Sequence, residues 1–404
     1  MSVPLDRLYN FLSDICNRND LVIYRFYPHG SRNIADLLQL QTHNNSKLNT
    51  FQGRLCNLAA FCHDQEPLNF DLYAGFDDID DLSKINSILV NQIGKDILTK
   101  YQDTLYKFMP TLNLKIVTQN LDWFTPSLLF HSEQRSKNLE KYQQYNYIGV
   151  YYWCHAVIAR DWYRYAEHDT SLNSKNINTK DFLIYNRAWI GTREYRLKFT
   201  ELLQQNELTE QCQTWFSPVD DGHDYRNHKF NNSDFKIFNY NLEQYFKPSK
   251  TTSSASADYC GEDYRSTNIE VVLETLFDDL RLHLTEKSLR PIACGQPFML
   301  MATHGSLEYM RSYGFETFAP WIDETYDTIQ QPIQRLTAVV KEMKRISELD
   351  QDQKLHLFTQ LQTIAQRNKQ KFFDSSWQKN IIEEFQRNFN QACDQFDRIV
   401  KYPI

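Results

Sequence analysis

The densest run of groups able to do chemistry extends from Glu274 and Thr275 through Thr285-Glu286-Lys287-Ser288 to Gln296. A lysine ammonium, two hydroxyls and the free amides of a helix start suit a diphosphate, because each turns a donor or positive charge toward anionic oxygens. A carboxylate such as Glu286 accepts from both hydroxyls of a ribose. The same residues also suit a plain helix start, with Thr285 as N-cap and Glu286 complementing the dipole. Glu274 and Thr275 close a β-branched run that starts at Ile269. In an open α/β sheet, ligands bind at the carboxyl ends of strands.

Two histidines lie at the edges of similar elements. His29 follows the run from Leu21 to Tyr27, inside Pro28-His29-Gly30-Ser31, and an imidazole there can take a proton from an acceptor hydroxyl near neutral pH. A turn histidine held by the backbone fits the same position. His155 sits at an expected helix start, with Arg160 and Asp161 about one and a half turns later. His155 and Asp161 are candidate catalytic groups; capping by His155 and a surface pair between Arg160 and Asp161 are the plainer alternative. The D-x-D within residues 77–81 resembles a metal-diphosphate motif, but it precedes helical spacing and reads as an acidic helix start. No G-x-S-x-G elbow occurs, which disfavours an α/β-hydrolase.

The elements that must position these groups alternate. Strand runs at 21–27, 114–117 and 127–130 enclose helical patterns such as 82–109. A polar stretch, 133–146, precedes a second series: strands at 148–153, 182–185, 214–217, 269–273 and 298–301, with helices at about 155–168, 193–205, 285–294 and 306–313. Such alternation implies two βα domains, each with a mainly parallel sheet. Residues 220–266 read as a long polar loop, with a low-complexity, mobile stretch at 251–256. From Pro332 onward the pattern is purely helical, and Phe385, Phe389, Ala392, Phe396 and Ile399 form an amphipathic stripe. The expected divisions are therefore 1–140, 141–330 and a helical extension, 331–404, packed back on the body.

Composition removes several classes. The 404 residues include only 11 glycines, and no glycine-rich phosphate loop is present, so any phosphate must be met by side chains and helix starts. The eight cysteines are scattered without C-x-x-C or zinc spacing and read as reduced thiols of a cytoplasmic protein. No apolar run approaches the ~20 residues of a membrane helix. The first residues show no secretory pattern. The net charge of −7 is uneven: the stretch after Gln331 is +3, with 12 basic and 9 acidic residues.

Four motifs carry a family resemblance. They are W-C-H-A-V-I-A-R-D-W at 153–162, Y-N-R-A-W-I-G-T-R-E-Y-R-L-K-F at 185–199, L-T-E-K-S-L-R-P-I-A-C-G-Q-P-F at 284–298 and T-H-G-S-L-E-Y-M-R-S-Y-G-F at 303–315. Together they resemble phage-encoded relatives of the GT-B nucleotide-sugar glycosyltransferases, over about residues 148–330. Fucosyltransferase-like enzymes similarly place a T-E-K tripeptide on the helix that holds the sugar nucleotide. The resemblance implies a GT-B-like pair of Rossmann-like domains. It further implies that Glu286 binds ribose, Lys287 binds diphosphate, and an arginine at an earlier helix start meets the phosphates. Arg193 and Arg196 are the candidates for that arginine, ahead of Arg187. With Glu274, Thr285 and Ser288 they form the expected donor site, and no metal is required. The chain departs from common GT-B enzymes in lacking a glycine-rich loop near its start, where His29-Gly30-Ser31 is the nearest substitute.

The implied activity is transfer of a sugar from a nucleotide donor to a hydroxyl. The phage resemblance makes a 5-hydroxymethylated base in double-stranded DNA the first acceptor to consider, in the host cytoplasm. Lys95, Lys100, Lys107, Lys115 and the +3 extension offer phosphate contacts. A glycan or lipid-linked sugar is the main alternative acceptor. Two other classes remain open: a non-catalytic nucleotide- or partner-binding module, and an assembly protein acting through its Phe-rich tail.

Overall fold

The computed structural model describes residues 22–24, 127–131, 134–135, 147–176, 179–220, 222–248 and 258–401. The chain divides into two compact units, residues 1–4 with 155–379, and residues 5–154 with 380–404. Among the described residues of the latter, β1 (Val22–Tyr24), β2 (Ser127–His131) and β3 (Tyr147–Tyr151) form a parallel sheet in the order β1-β2-β3. The expected strand at 114–117, the helical pattern at 82–109, the D-x-D, the four lysines and His29 lie outside the described residues.

The other unit is α/β. Helix α1 (Cys154–Trp162) leads to β4 (Lys180–Asn186), α2 (Tyr195–Gln205) and β5 (Cys212–Phe216). Next come the short β6 (Val219–Asp220), β7 (His223–Asp224) and β8 (Lys247–Pro248), then α3 (Gly261–Arg265), β9 (Thr267–Leu273), α4 (Glu286–Cys294) and β10 (Phe298–Met301). A parallel sheet of order β10-β9-β4-β5-β8 results. Its central strands are continuous apolar runs because helices cover both faces. Phe182, Leu183 and Ile184 of β4, and Ile269, Val271 and Val272 of β9, are buried. Alternation along β4 sends Asn186 to α2, where it donates to the Arg196 carbonyl and Thr200 Oγ1. It sends Tyr185 to the opposite face, where the Arg290 guanidinium of α4 lies over its ring.

The segment read as a loop, 220–266, carries more structure than its composition suggests. Two carboxylates of the α2 region hold its backbone. Glu194 accepts from the amides of Asn231 and Asn232, and Glu201 from those of Phe238 and Asn239. Tyr225, Ile237 and Leu242 pack with Trp189, Leu197 and Phe216 in a buried cluster. Residues 251–256 lie outside the described residues.

Helices α5 (Ser306–Ser312), α6 (Pro332–Ser347), α7 (Gln351–Phe373) and α8 (Ser375–Lys401) complete the chain. α6 packs on α2 and β10, and α7 packs on α4. In the unit of residues 5–154 and 380–404, Asn388 of α8 donates to the Tyr151 carbonyl at 2.8 Å, and the Phe385 ring lies 4.9 Å from that of Tyr152. Phe385, Phe389 and Ala392 of the expected stripe are buried. The side chains of Phe396 and Ile399 lie outside those described. No helix among the described residues is long and apolar enough to cross a membrane.

α4 is closed by Gly295 at φ 68°, with the Gln296 amide bonded back to the Pro291 carbonyl at 2.8 Å. A Cβ on Gly295 would meet Gln366 Nε2 of α7 at 2.8 Å. Gly295→Ala is therefore expected to destabilise this unit by about 1 kcal/mol or more through backbone strain alone. Thermal unfolding of the variant checks this; an unchanged midpoint would contradict the left-handed assignment.

Candidate functional site

From β4 the chain moves to β5 and β8 on one side of the sheet, then crosses back to β9 and β10 on the other. The order thus reverses between β4 and β9, and at such a switch point the strand ends open a crevice. The residues at that place are Asn186 at the end of β4 with Arg187 after it, and Glu274-Thr275 after β9.

Glu274 is fully buried and organises the start of α4. One oxygen accepts from the Thr285 amide at 3.1 Å, the Ser288 amide at 3.2 Å and Ser288 Oγ at 2.5 Å. The other accepts from Thr285 Oγ1 at 2.7 Å and the Thr275 amide at 3.1 Å. Thr285 is the N-cap, and its hydroxyl also accepts from the Lys287 amide. A protein carboxylate therefore occupies the place where the helix start was expected to receive phosphate. Glu274, Thr285 and Ser288 do come together as the spacing suggests, but they bind one another.

The two remaining members of the tetrad diverge. Glu286 is buried, with one oxygen 2.9 Å from Lys287 Nζ and the other 3.1 Å from His155 Nδ1. Burial would raise its carboxyl, but the Lys287 ammonium and the His155 ring outweigh burial and hold it well below its ordinary value of 4.5. Lys287 Nζ also reaches Thr285 Oγ1 at 3.3 Å, and its side chain keeps solvent access. His155 is buried in the first turn of α1. Its Nδ1 is close to Glu286 but poorly directed for a hydrogen bond, and its Nε2 has no partner. The His283 ring packs edge-on at 5.0 Å from it. His283 was missed in the sequence, where only its position two residues before Thr285 marks it.

The arginines separate by what they bind. Arg196 is buried, and its terminal nitrogens donate to the carbonyls of Ala188, Leu273 and Glu274 at 2.7–2.9 Å, stitching the two strand ends together. Arg193 Nε donates to the Ile190 carbonyl at 3.1 Å. Arg187 stands directly after β4, and its buried Nε and Nη1 have no hydrogen-bond partner. Asp161 accepts from Arg164, whose Nη1 lies 2.6 Å from the Asp161 carbonyl and 3.6 Å from its carboxylate. Arg160 turns instead to the Phe373 carbonyl and ring. Among the described residues no group of three or more His, Cys, Asp and Glu could hold a metal ion.

No protein-family model matches the chain, and no curated protein or solved structure matches it.

The depressed Glu286 value has a pH consequence. A carboxylate whose folded-state pKa is lowered contributes stability above its unfolded value and loses it as pH falls through the folded one. The thermal-stability margin of the wild type over Glu286→Gln should accordingly shrink between about pH 6 and about pH 3. A margin that stays constant across that range would remove the ionised Glu286 from the network.

Proposed function

We propose that the chain is a nucleotide-sugar-dependent glycosyltransferase, with two Rossmann-like domains in the GT-B manner and a helical extension after residue 330. Residues 141–330 form the donor side and residues 1–140 the acceptor side. The reading is supported above all by the Glu286–Lys287 pair at the start of α4, beside the carboxyl end of β9. Lys287 offers a solvent-reachable ammonium to the donor's diphosphate, and Glu286 offers a buried acceptor to ribose hydroxyls. Both exchange their mutual contact for the ligand's groups.

Transfer by this route asks little covalent chemistry of the protein. Holding the donor and acceptor together and stabilising the departing diphosphate lowers the barrier, and neither task needs a metal. His155, with Nε2 unpartnered and Glu286 at its other nitrogen, is the proton acceptor within this unit, while His29 is its counterpart on the acceptor side. The proposed acceptor is a 5-hydroxymethylated base in phage DNA, met in the host cytoplasm. A duplex acceptor must present that base out of the stack.

The test is incubation of the purified protein with a panel of nucleotide sugars, with and without hydroxymethylcytosine DNA, following release of nucleoside diphosphate. Release with one donor, increased by the DNA, is the expected result; no binding or turnover of any donor would end the transferase reading. Lys287→Ala should lose about tenfold or more in rate while remaining folded, since a charge-assisted contact is worth about 1.5–3 kcal/mol.

A further inference from the structure

A cleft of about 790 Å³ opens at the amino ends of the central strands, within the unit that holds residues 155–379. One wall is the start of the sheet. Lys180 pairs with Thr267, and Phe182 pairs with both Ile269 and Cys212. Asp181 and Asn268 therefore stand side by side, with Gln211 beside them just before β5. All three line the cleft. The facing wall is α7, whose Gln351, Lys354, Phe358, Gln362 and Gln366 recur every three or four residues and so share one face. Another face of the same helix, with Leu357, Leu361 and Ala365, is buried.

Asp181 is the buried charge of the cleft, only 4% exposed. One of its oxygens accepts from Lys354 Nζ at 2.7 Å; among the described residues nothing donates to the other. Burial pushes its carboxyl up, against the pull of Lys354. A carboxylate taken out of water with an open oxygen is unfavourable until a donor reaches it. Lys354 in turn uses one of its three hydrogens on Asp181. The pair thus presents an open acceptor beside open donors.

The rest of the lining is neutral or already matched. Asn173, Gln211, Asn268 and Gln351 each carry a donor and an acceptor. Among the described residues, Asn268 alone of these four uses its side-chain N–H groups within the chain, on Thr179 Oγ1 and the Lys180 carbonyl. The further cation, Lys175, gives its hydrogens to the carbonyls of Tyr264 and Thr267 and to Gln296 Oε1, at 2.6–2.8 Å. An apolar strip completes the surface: Leu355 of α7 is 69% exposed, one turn before the half-buried Phe358.

We infer that this cleft is a second binding site, for a neutral saccharide, at the end of the sheet opposite Glu274 and Glu286. The length of β4 separates the two places by roughly 15–20 Å. The ligand class follows from the lining. Adjacent sugar hydroxyls donate to the open Asp181 oxygen and accept from Lys354 together, and others exchange hydrogen bonds with amides that both donate and accept. The C–H faces of the ring cover Leu355 and Phe358. An anion gains little from a lysine whose charge Asp181 cancels, and a cation meets the converse. A peptide offers one N–H and one C=O per residue along a line, too few for polar groups on two facing walls. The volume lies in the range of sites that enclose small ligands, about 300–1,000 Å³. The inference uses no residue of the proposed donor site and holds whether or not the chain transfers a sugar.

The experiment titrates the full chain with glucose, N-acetylglucosamine, maltose and lactose, and with glucuronate and glucosamine as charged comparisons, following binding by saturation-transfer NMR. At least one neutral sugar should bind with a dissociation constant of about a millimolar or below, and more tightly than either charged sugar. Asp181→Asn should weaken that binding about tenfold or more, because a bond to a charged acceptor is lost. If the asparagine variant fails to fold, Thr359→Trp decides. Thr359 is an exposed lining residue of α7, so an indole there occupies the cleft. This variant should abolish sugar binding at an unchanged melting temperature, while Lys287→Ala should bind as wild type does. The inference is overturned by no binding of any neutral sugar, by binding confined to the charged ones, or by equal binding in wild type and Thr359→Trp. Loss in Lys287→Ala with retention in Thr359→Trp would place the sugar at the start of α4 and overturn it equally.

Discussion

A single buried carboxylate fixes the geometry at the end of the central sheet. Glu274 accepts five hydrogen bonds, three from backbone amides and two from hydroxyls, and its own carbonyl receives the Tyr195 hydroxyl and Arg196. Desolvating a carboxylate is unfavourable unless its lone pairs are filled. Here they are filled by a helix start, whose free amides and positive dipole end need an acceptor equally. The end of β9, the N-cap of α4 and the start of α2 are thereby tied at one point. The positions of Glu286 and Lys287 follow from that tie, as the next residues on the same turn.

The same interaction decides how an anion can be recognised. In many α/β proteins the open helix start does the work, with glycines that let backbone approach the phosphate. This chain lacks the glycine-rich loop, and Glu274 fills the helix start from within. Under the proposed reading, recognition falls to side chains that project past the capped turn or lie beside it. Lys287 is held in place but retains solvent access, and Arg187 is half-buried, with no hydrogen-bond partner for its buried Nε and Nη1.

Much of the scaffold could be read in the sequence, because parallel strands buried on both faces are continuous apolar runs and their helices carry caps. The runs at 182–185, 269–273 and 298–301 and the cap at Thr285 all become the expected elements. The site was legible as a set of residues and not as a set of contacts. Thr285 and Ser288 read equally well as ligand groups or as cap; only the placement of Glu274, 11 residues before Thr285, decides that they face inward. The polar segment after Asp220 read as loop because its order comes from Glu194 and Glu201, distant carboxylates that no local pattern announces.

Arg187 shows the limit of local reading most clearly. It and Arg196 are nine residues apart in one motif, and helix-start position alone favoured Arg196 over Arg187. What separates them is the state of their neighbours. Arg196 points into a gap between two strand ends, where it donates to three carbonyls. Arg187 lies over Tyr185, among carboxylates whose oxygens are held by Gln213, Tyr264, Arg290 and Tyr185 itself. The availability of a charged group is a property of the surrounding hydrogen-bond network, in which each acceptor already engaged leaves one fewer to satisfy the next donor.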